Sequence, residues 1–467
     1  MGKNITYFLE AISKPGFRTF SSPCALNEAL FEAYVLEKQR CTKYKGEGKD
    51  QKMLLRWFLN LLGILIVLNG KAQYNTEFIN YSAMGRGIAL NVDYEAGSNA
   101  IKNDMMNKLI WGGYISTEMK DASDKKLRTK NNFGINLNYG TTAFIKGNSK
   151  FDFVVGFKNQ EVLNASFNSD FYRLMFYGNK RFLGDTADIS HISVNALRFQ
   201  EIKFGAIIHH VDSVAKIGCS VSFLKGEQLF YFKTGSNASL YTSADASSIQ
   251  MTSNFNLAVS DTSNRNLFGF NGIGANADIF FETPYKSKVG KKSVLIVNAN
   301  NIGFIHWQNK SVQYSSDSVI TFKGYQIENI LDLKDSTLNK INQDTILQNL
   351  VNGRKEKFNI NIPTNLVLIN KIYFGKMNLV LNTGFRYIFN ANYKPYFFAE
   401  TEYQYKKFKF IGHFGYGGYA RLNYGASINY SGKHLFFKLG SNSLQGYITP
   451  KTAYGQGLFF SIAKRFK

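Results

Sequence analysis

The sequence predicts an all-β protein, an antiparallel transmembrane β-barrel of roughly 14 strands with a short helical insertion. Three observations predict it. The 467 residues include 41 Phe, 27 Tyr and 40 Gly but only 3 Trp and 6 Pro, a composition that suits sheets better than helices. Apolar residues make up 44% of the chain, yet the mean hydropathy is only −0.21, as expected where apolar and polar side chains alternate. Segments of about ten residues with a side-chain period of two recur along the chain, the pattern of strands with one face in lipid and one in water.

Residues 1–52 read as an upstream extension that is not part of the mature protein. Met53 opens MLLRWFLNLLGILIVLNGKAQ, with Lys52 and Arg56 as the basic flank and an apolar run from Trp57 to Leu68. Gly70 and Ala72 supply the small residues of a cleavage site, so residues 53–72 are expected to be a signal peptide cut between Ala72 and Gln73. The run is shorter than the roughly 20 residues that span a bilayer as a helix. The mature barrel is then residues 73–467. Cys24 and Cys41 leave with the leader, and Cys219 remains without an internal disulfide partner.

The strand pattern begins in NFGINLNYG, where Phe133, Ile135, Leu137 and Tyr139 oppose Asn132, Gly134, Asn136 and Asn138. FDFVVGFK sets Phe151, Phe153, Val155 and Phe157 against Asp152 and Lys158; MNLVLNTGFRYIF sets Leu379, Leu381, Phe385 and Tyr387 against Asn382 and Arg386. ARLNYGASINYSG sets Leu422, Tyr424, Ile428 and Tyr430 against Arg421, Asn423 and Asn429, and KPYFFAETEYQY carries Glu400 and Glu402. One strand alone fits a soluble sandwich equally well. The leader, the strand lengths and the aromatic last strand, GLFFSIAKRFK, favour a barrel. In a closed barrel the first and last strands pair, which leaves no open edge in lipid.

If the polar faces look inward, Asn136, Asn138, Asp152, Lys158, Arg386, Glu400, Glu402, Arg421, Asn423 and Asn429 are lumen-facing, because a charge turned to mid-bilayer costs roughly 2–4 kcal/mol. Arg386 and Arg421 are expected to form a ladder with Glu400 and Glu402. On the same reading Leu422→Arg impairs assembly and Asn423→Arg is tolerated.

Between strands, GDTADISH (184–191), TSADASSIQMTSN (242–254) and YSSDSV (314–319) read as polar loops. Residues 325–351 carry Ile and Leu at mixed spacings of three and four without Gly, which reads as two short helices forming a loop, a cap or a lumen plug. GFNGIGAN (269–276) is spaced wrongly for a dinucleotide loop, and its small residues fit a thinned wall or a bend.

The formal net charge is +23; residues 1–72 hold 11 of the 56 cations and 6 of the 33 anions, leaving 45 against 27 and a net +18. Nucleic-acid binding is one reading of so basic a chain, but the cations are scattered with no nucleic-acid motif, and loops touching anionic lipid or lipopolysaccharide phosphates explain the sign equally well. His209 and His210 are adjacent, so on a strand they point to opposite faces and cannot share a metal. No metal, cofactor or catalytic signature appears, and a non-enzymatic protein is expected.

NNIGFIHWQNKSVQYSSDSVITFKGYQIENIL (300–331) and the ending KLGSNSLQGYITPKTAYGQGLFFSIAKRFK resemble segments of a family of uncharacterised outer-membrane β-barrel proteins of the Bacteroidota. There a stretch like Ile302-Gly303-Phe304-Ile305-His306-Trp307 precedes an extended run and a turn like that at Phe322 and Gly324. A more distant similarity is to fatty-acid transporter barrels, whose Asn-Pro-Ala signature is replaced here by YSAMGRGIALN. The resemblance implies location in the outer membrane and a barrel fold. The expected role is a channel or transporter for small or hydrophobic solutes, and the alternative is a non-conducting barrel that scaffolds secretion or periplasmic partners. Expected partners are outer-membrane lipid and lipopolysaccharide, and the assembly machinery during insertion.

Overall fold

In the computed structural model the described residues are 86–147, 151–209, 215–261, 269–287, 292–322, 352–374 and 378–466. The extension, the leader with its Ala72–Gln73 site and the helices expected at 325–351 lie outside them.

Fourteen strands close into one antiparallel barrel. In wall order they are β1 (Gly87–Ser98), β2 (Asn131–Lys146), β3 (Phe151–Phe167), β5 (Ser193–His209), β6 (Lys216–Thr234), β9 (Gly272–Tyr285) and β10 (Lys292–Trp307). β14 (Thr364–Phe374), β15 (Leu379–Phe389), β16 (Lys394–Tyr405), β17 (Phe408–Gly418), β18 (Leu422–Ser431), β19 (Leu435–Ser441) and β20 (Gly455–Arg465) complete it. The aromatic last strand closes the ring, pairing with β1 from Gly87↔Arg465 to Gly97↔Gly455. No wall edge is left to aggregate.

The period of two sorts each strand into two faces. Outward are residues such as Phe153, Phe157, Phe204, Val221, Phe397, Phe410, Phe414 and Leu422, all exposed. Inward are Asn138 and Lys158, Glu201, Asp278, Glu402 and Asn429. Neighbouring strands agree because register pairs same-face residues: Val155, Phe204 and Val221 form one outward row.

Toward the end away from Gly87 and Arg465, the outer wall carries helices instead of open apolar surface. Helices α1 (Asn103–Trp111), α2 (Thr117–Asp124) and α3 (Ser169–Tyr177) cover strands β1, β2, β3 and β5. Met105, Met106 and Ile110 pack with Phe133, Ile135, Leu137, Leu163 and Tyr172. Side-chain caps start two of the helices: Met119 N–H donates to Ser116 Oγ and Phe171 N–H to Asn168 Oδ1.

At the same end β6 runs past the wall, and its Phe230–Thr234 stretch pairs with β8 (Ile249–Val259). β8 carries β7 (Ser239–Thr242) and β11 (Val312–Phe322); β4 (Asp185–Asp188) and β12 (Asn352–Lys355) extend that sheet, while β13 (Phe358–Asn361) pairs with β10. This corrects the loop assignment for much of 184–191, 242–254 and 314–319. Those stretches are polar because their sheet stands off the barrel, in water on much of its surface, and alternation then leaves little trace.

Candidate functional site: the barrel interior

Fourteen strands about 4.8 Å apart and tilted near 40° make a backbone ring about 28 Å across if circular. Side chains on opposite walls of such a ring cannot touch. Here they do: Arg386 Nη1 on β15 lies 2.8 Å from Glu95 Oε2 on β1, six strands away. Gln160 on β3 also receives a hydrogen bond from Asn301 Nδ2 on β10, four strands away, at 3.1 Å. The barrel is therefore flattened.

Three layers fill the interior. Nearest the Gly87 and Arg465 end, Ala89, Phe144, Val154, Ile207, Phe280 and Val294 form an apolar belt. Above it lies a band of ion pairs. Glu201, fully buried, meets Lys158 at 3.1 Å and Lys203 at 3.3 Å, and accepts hydrogen bonds from Ser222 Oγ and Gln160 Nε2. Lys203 also meets Asp278 at 2.5 Å, whose other oxygen takes the Asn301 N–H. On the facing wall Glu402 is held by Lys371 at 2.8 Å and Lys409 at 2.7 Å, while Asn382 donates to both Glu400 and Glu402. His413 bridges Glu400 through Nδ1 at 3.0 Å and the Tyr396 hydroxyl through Nε2 at 2.7 Å. Register puts Asn382, Glu400 and His413 on one rung, so this contact is written in strand pairing.

The third layer closes the mouth. The turns after β15 and β17 fold inward instead of outward. Asn132 Nδ2 donates to Asn392 O at 3.2 Å and Gly418 O at 3.1 Å, and Asn392 Nδ2 donates to Ser193 Oγ at 2.7 Å. Tyr393 and Tyr419 meet edge to face with centroids 4.9 Å apart. The Tyr419 ring takes the space over Gly134, where a Cβ would stand 2.1 Å from it. Glycine is required there by close approach. Below, Gly272 leaves room for Ile305 and Trp307, which explains the small residues of GFNGIGAN. Two interior cavities hold about 20 and 30 Å³, space for one or two waters each.

Of the residues singled out from sequence, Asn136, Asn138, Asp152, Lys158, Arg386, Glu400, Glu402, Asn423 and Asn429 sit on the inward side of their strands. Arg421 does not. It precedes β18 in the rim turn, donates from Nε to Asn99 O at 2.7 Å and from Nη2 to Lys126 O at 3.1 Å, and lies over the Tyr454 ring. The expected ladder is corrected accordingly: Arg386 pairs with Glu95, and lysines from β14 and β17 serve Glu402. Asn423 Oδ1 accepts hydrogen bonds from Ser443 Oγ and Gln445 Nε2, both at 2.9 Å, contacts that Asn423→Arg removes and that argue against its expected tolerance. Glu201, Lys203, Asp278, Lys371, Lys409 and His413 were missed; the same alternation marks Glu201 and Lys203 in QEIKFGAI, Asp278 in NADIFF, Lys371 in LINKIYF, and Lys409 and His413 in KFKFIGHFG.

β19 is short, and above Ser441 the β18 edge has no strand beside it. Gln445 replaces the strand with its amide: Nε2 donates to Leu422 O and Oε1 accepts from Tyr424 N–H, both at 3.1 Å. One side chain thereby satisfies backbone groups of a barrel wall.

Residues 83–442 match a family model described as "Family of unknown function (DUF5723)". The chain belongs to this family. No curated protein matches it. Among solved structures it is similar to the TodX deltaS2S3 mutant monoaromatic hydrocarbon channel, at 12% identity and a TM-score of 0.43, covering 85% of this chain and 96% of that one. It is also similar to the Ralstonia pickettii toluene transporter TbuX, at 12% and 0.37, covering 82% and 90%. The translocator domain of the Neisseria meningitidis autotransporter NalP follows at 7% and 0.30, covering 84% and 92%. For a DUF5723 chain these likenesses concern the barrel fold and carry no statement about solutes.

Proposed function

We propose that this DUF5723 protein is an outer-membrane barrel that passes small solutes through a lumen shut at rest by its own mouth turns. The observation that carries the reading is the contrast of the two wall faces. The outer face below the helices is a continuous field of exposed Phe, Ile, Leu, Val and Tyr, which suits lipid. The inner face holds ion pairs at mid-height, the polar lining of a conduit. The apolar belt below that band and the paired tyrosine rings above it favour small, weakly polar solutes over ions. The barrier at the mouth consists of a few hydrogen bonds and two tyrosines, contacts that a local movement of two turns releases.

Planar-bilayer recording tests this. The wild-type protein is expected to be nearly silent, and Gly134→Ala, which evicts the Tyr419 ring from its seat, is expected to open frequent conducting events. If both proteins are folded and equally silent, the barrel is a scaffold and the conducting role is wrong.

A further inference from the structure

We propose that the mouth carries an anion site, built by Arg128, Lys130, Lys394 and Arg421, that takes a phosphate-type polyanion.

Three chain segments bring these cations together, and the Asn132 side chain is the hub. It bonds Asn392 O, two residues before Lys394, and Gly418 O, three before Arg421, while Lys130 lies two residues before Asn132 itself. Arg421 then ties the rim turn to the loop after α2 through Lys126 O, and the loop is set by Asn131, which accepts the Arg128 N–H and donates back to Arg128 O. These hydrogen bonds gather Arg128, Lys130, Lys394 and Arg421 on one side of the rim.

Four like charges held together raise the energy of the unliganded state unless a counter-charge is present. Among the described residues none of the four pairs with a carboxylate. The acids nearby in sequence are engaged: Asp124 with Arg173 and Arg181, Asp170 with Arg173, Asp121 with the Tyr177 hydroxyl, Glu95 with Arg386. Arg421 is immobilised by two carbonyls and a ring, yet it spends only two of its five N–H donors on those carbonyls. Arg128 and Lys130 are exposed, so a ligand reaches the cluster from outside. Fixed guanidinium donors beside mobile ammonium groups suit phosphate oxygens. The site stands above the turns that close the lumen, and its existence does not depend on whether the lumen conducts.

Two sources present this chemistry, a free phosphate solute and a phosphorylated lipid headgroup. Calorimetry on the intact detergent-solubilised protein with inorganic pyrophosphate addresses the first. Binding to bilayers of phosphatidylcholine with and without lipid A addresses the second. The variant Lys130→Gln/Lys394→Gln, with folding checked by heat-modifiable gel mobility, is compared in both. At least tenfold weaker pyrophosphate binding that also fades with salt assigns the site to a free solute. No pyrophosphate binding, with a tenfold loss of the lipid A preference, assigns it to the headgroup. A folded variant that matches wild type in both arms overturns the proposal, and Arg128→Gln repeats the comparison independently.

Discussion

Val221 and Val319 offer a matched pair of perturbations. Both are exposed, at 66% and 61%, but Val221 lies on the outer wall of β6 and Val319 on the off-barrel strand β11. In water, replacing either by Arg changes stability by no more than about 0.5 kcal/mol, since neither has packing to lose. Val221 is five residues from the start of its strand at Lys216. At about 3.3 Å per residue and a tilt near 40°, it stands about 13 Å from that end, the middle of an apolar band roughly 25 Å tall. An arginine there faces hydrocarbon and costs about 3 kcal/mol, roughly a 150-fold shift in the folding equilibrium. Urea titration of folding into lipid vesicles, followed by tryptophan fluorescence and gel mobility, measures both variants. Val221→Arg should lose about 3 kcal/mol and Val319→Arg less than about 0.5. Equal, small losses would refute the assignment of the outer wall to lipid.

Other expectations follow from particular contacts. Glu201→Gln leaves Lys158 and Lys203 with one fewer buried partner and should destabilise the barrel by about 3 kcal/mol in the same titration, more than Glu95→Gln at the better-hydrated mouth. Gln445→Ala strips β18 of its substitute strand and should cost about 1–3 kcal/mol, with faster amide exchange at Tyr424 by NMR. Burial, then the 2.5 Å hydrogen bond to Asp121, holds the Tyr177 hydroxyl up at about 12 instead of 10.0. Because the folded value is the higher one, this contribution is full below pH 10.0, shrinks as pH rises and is gone past about 12. Tyr177→Phe should lack that component of the alkaline transition, as read by circular dichroism.

Much of the barrel was legible because one physical fact, the period of two between a lipid face and a polar face, repeats in every wall strand. Phe133 to Tyr139 and Leu422 to Tyr430 state it plainly, and the last strand states it at the seam with β1. Where that fact stops, legibility stops. The sheet containing Val312–Phe322 has no lipid face, so its serines looked like a loop. The helices of residues 103–124 and 169–177 are short, and their apolar face meets an outer wall whose Phe133, Ile135 and Leu137 read the same with or without a cover. In the interior, alternation placed Glu400, Glu402 and Arg386 but not their partners. Partners across a flattened lumen, such as Glu95 for Arg386, depend on the cross-section, which no local pattern encodes. Arg421 failed for a simpler reason: the wall ends one residue before β18 begins, and parity has no meaning in a turn.

The central claim is a barrel whose β17 alternates between lipid and lumen, and a spin-label scan of residues 408–416 in lipid nanodiscs tests it most directly. Labels replacing Phe408, Phe410, Gly412, Phe414 and Tyr416 should show high oxygen accessibility and little contact with a water-soluble relaxant. Labels at Lys409, Ile411, His413 and Gly415 should show low oxygen accessibility. A flat profile, or water contact at Phe410 and Phe414 equal to that of a label at Val319, would contradict the account.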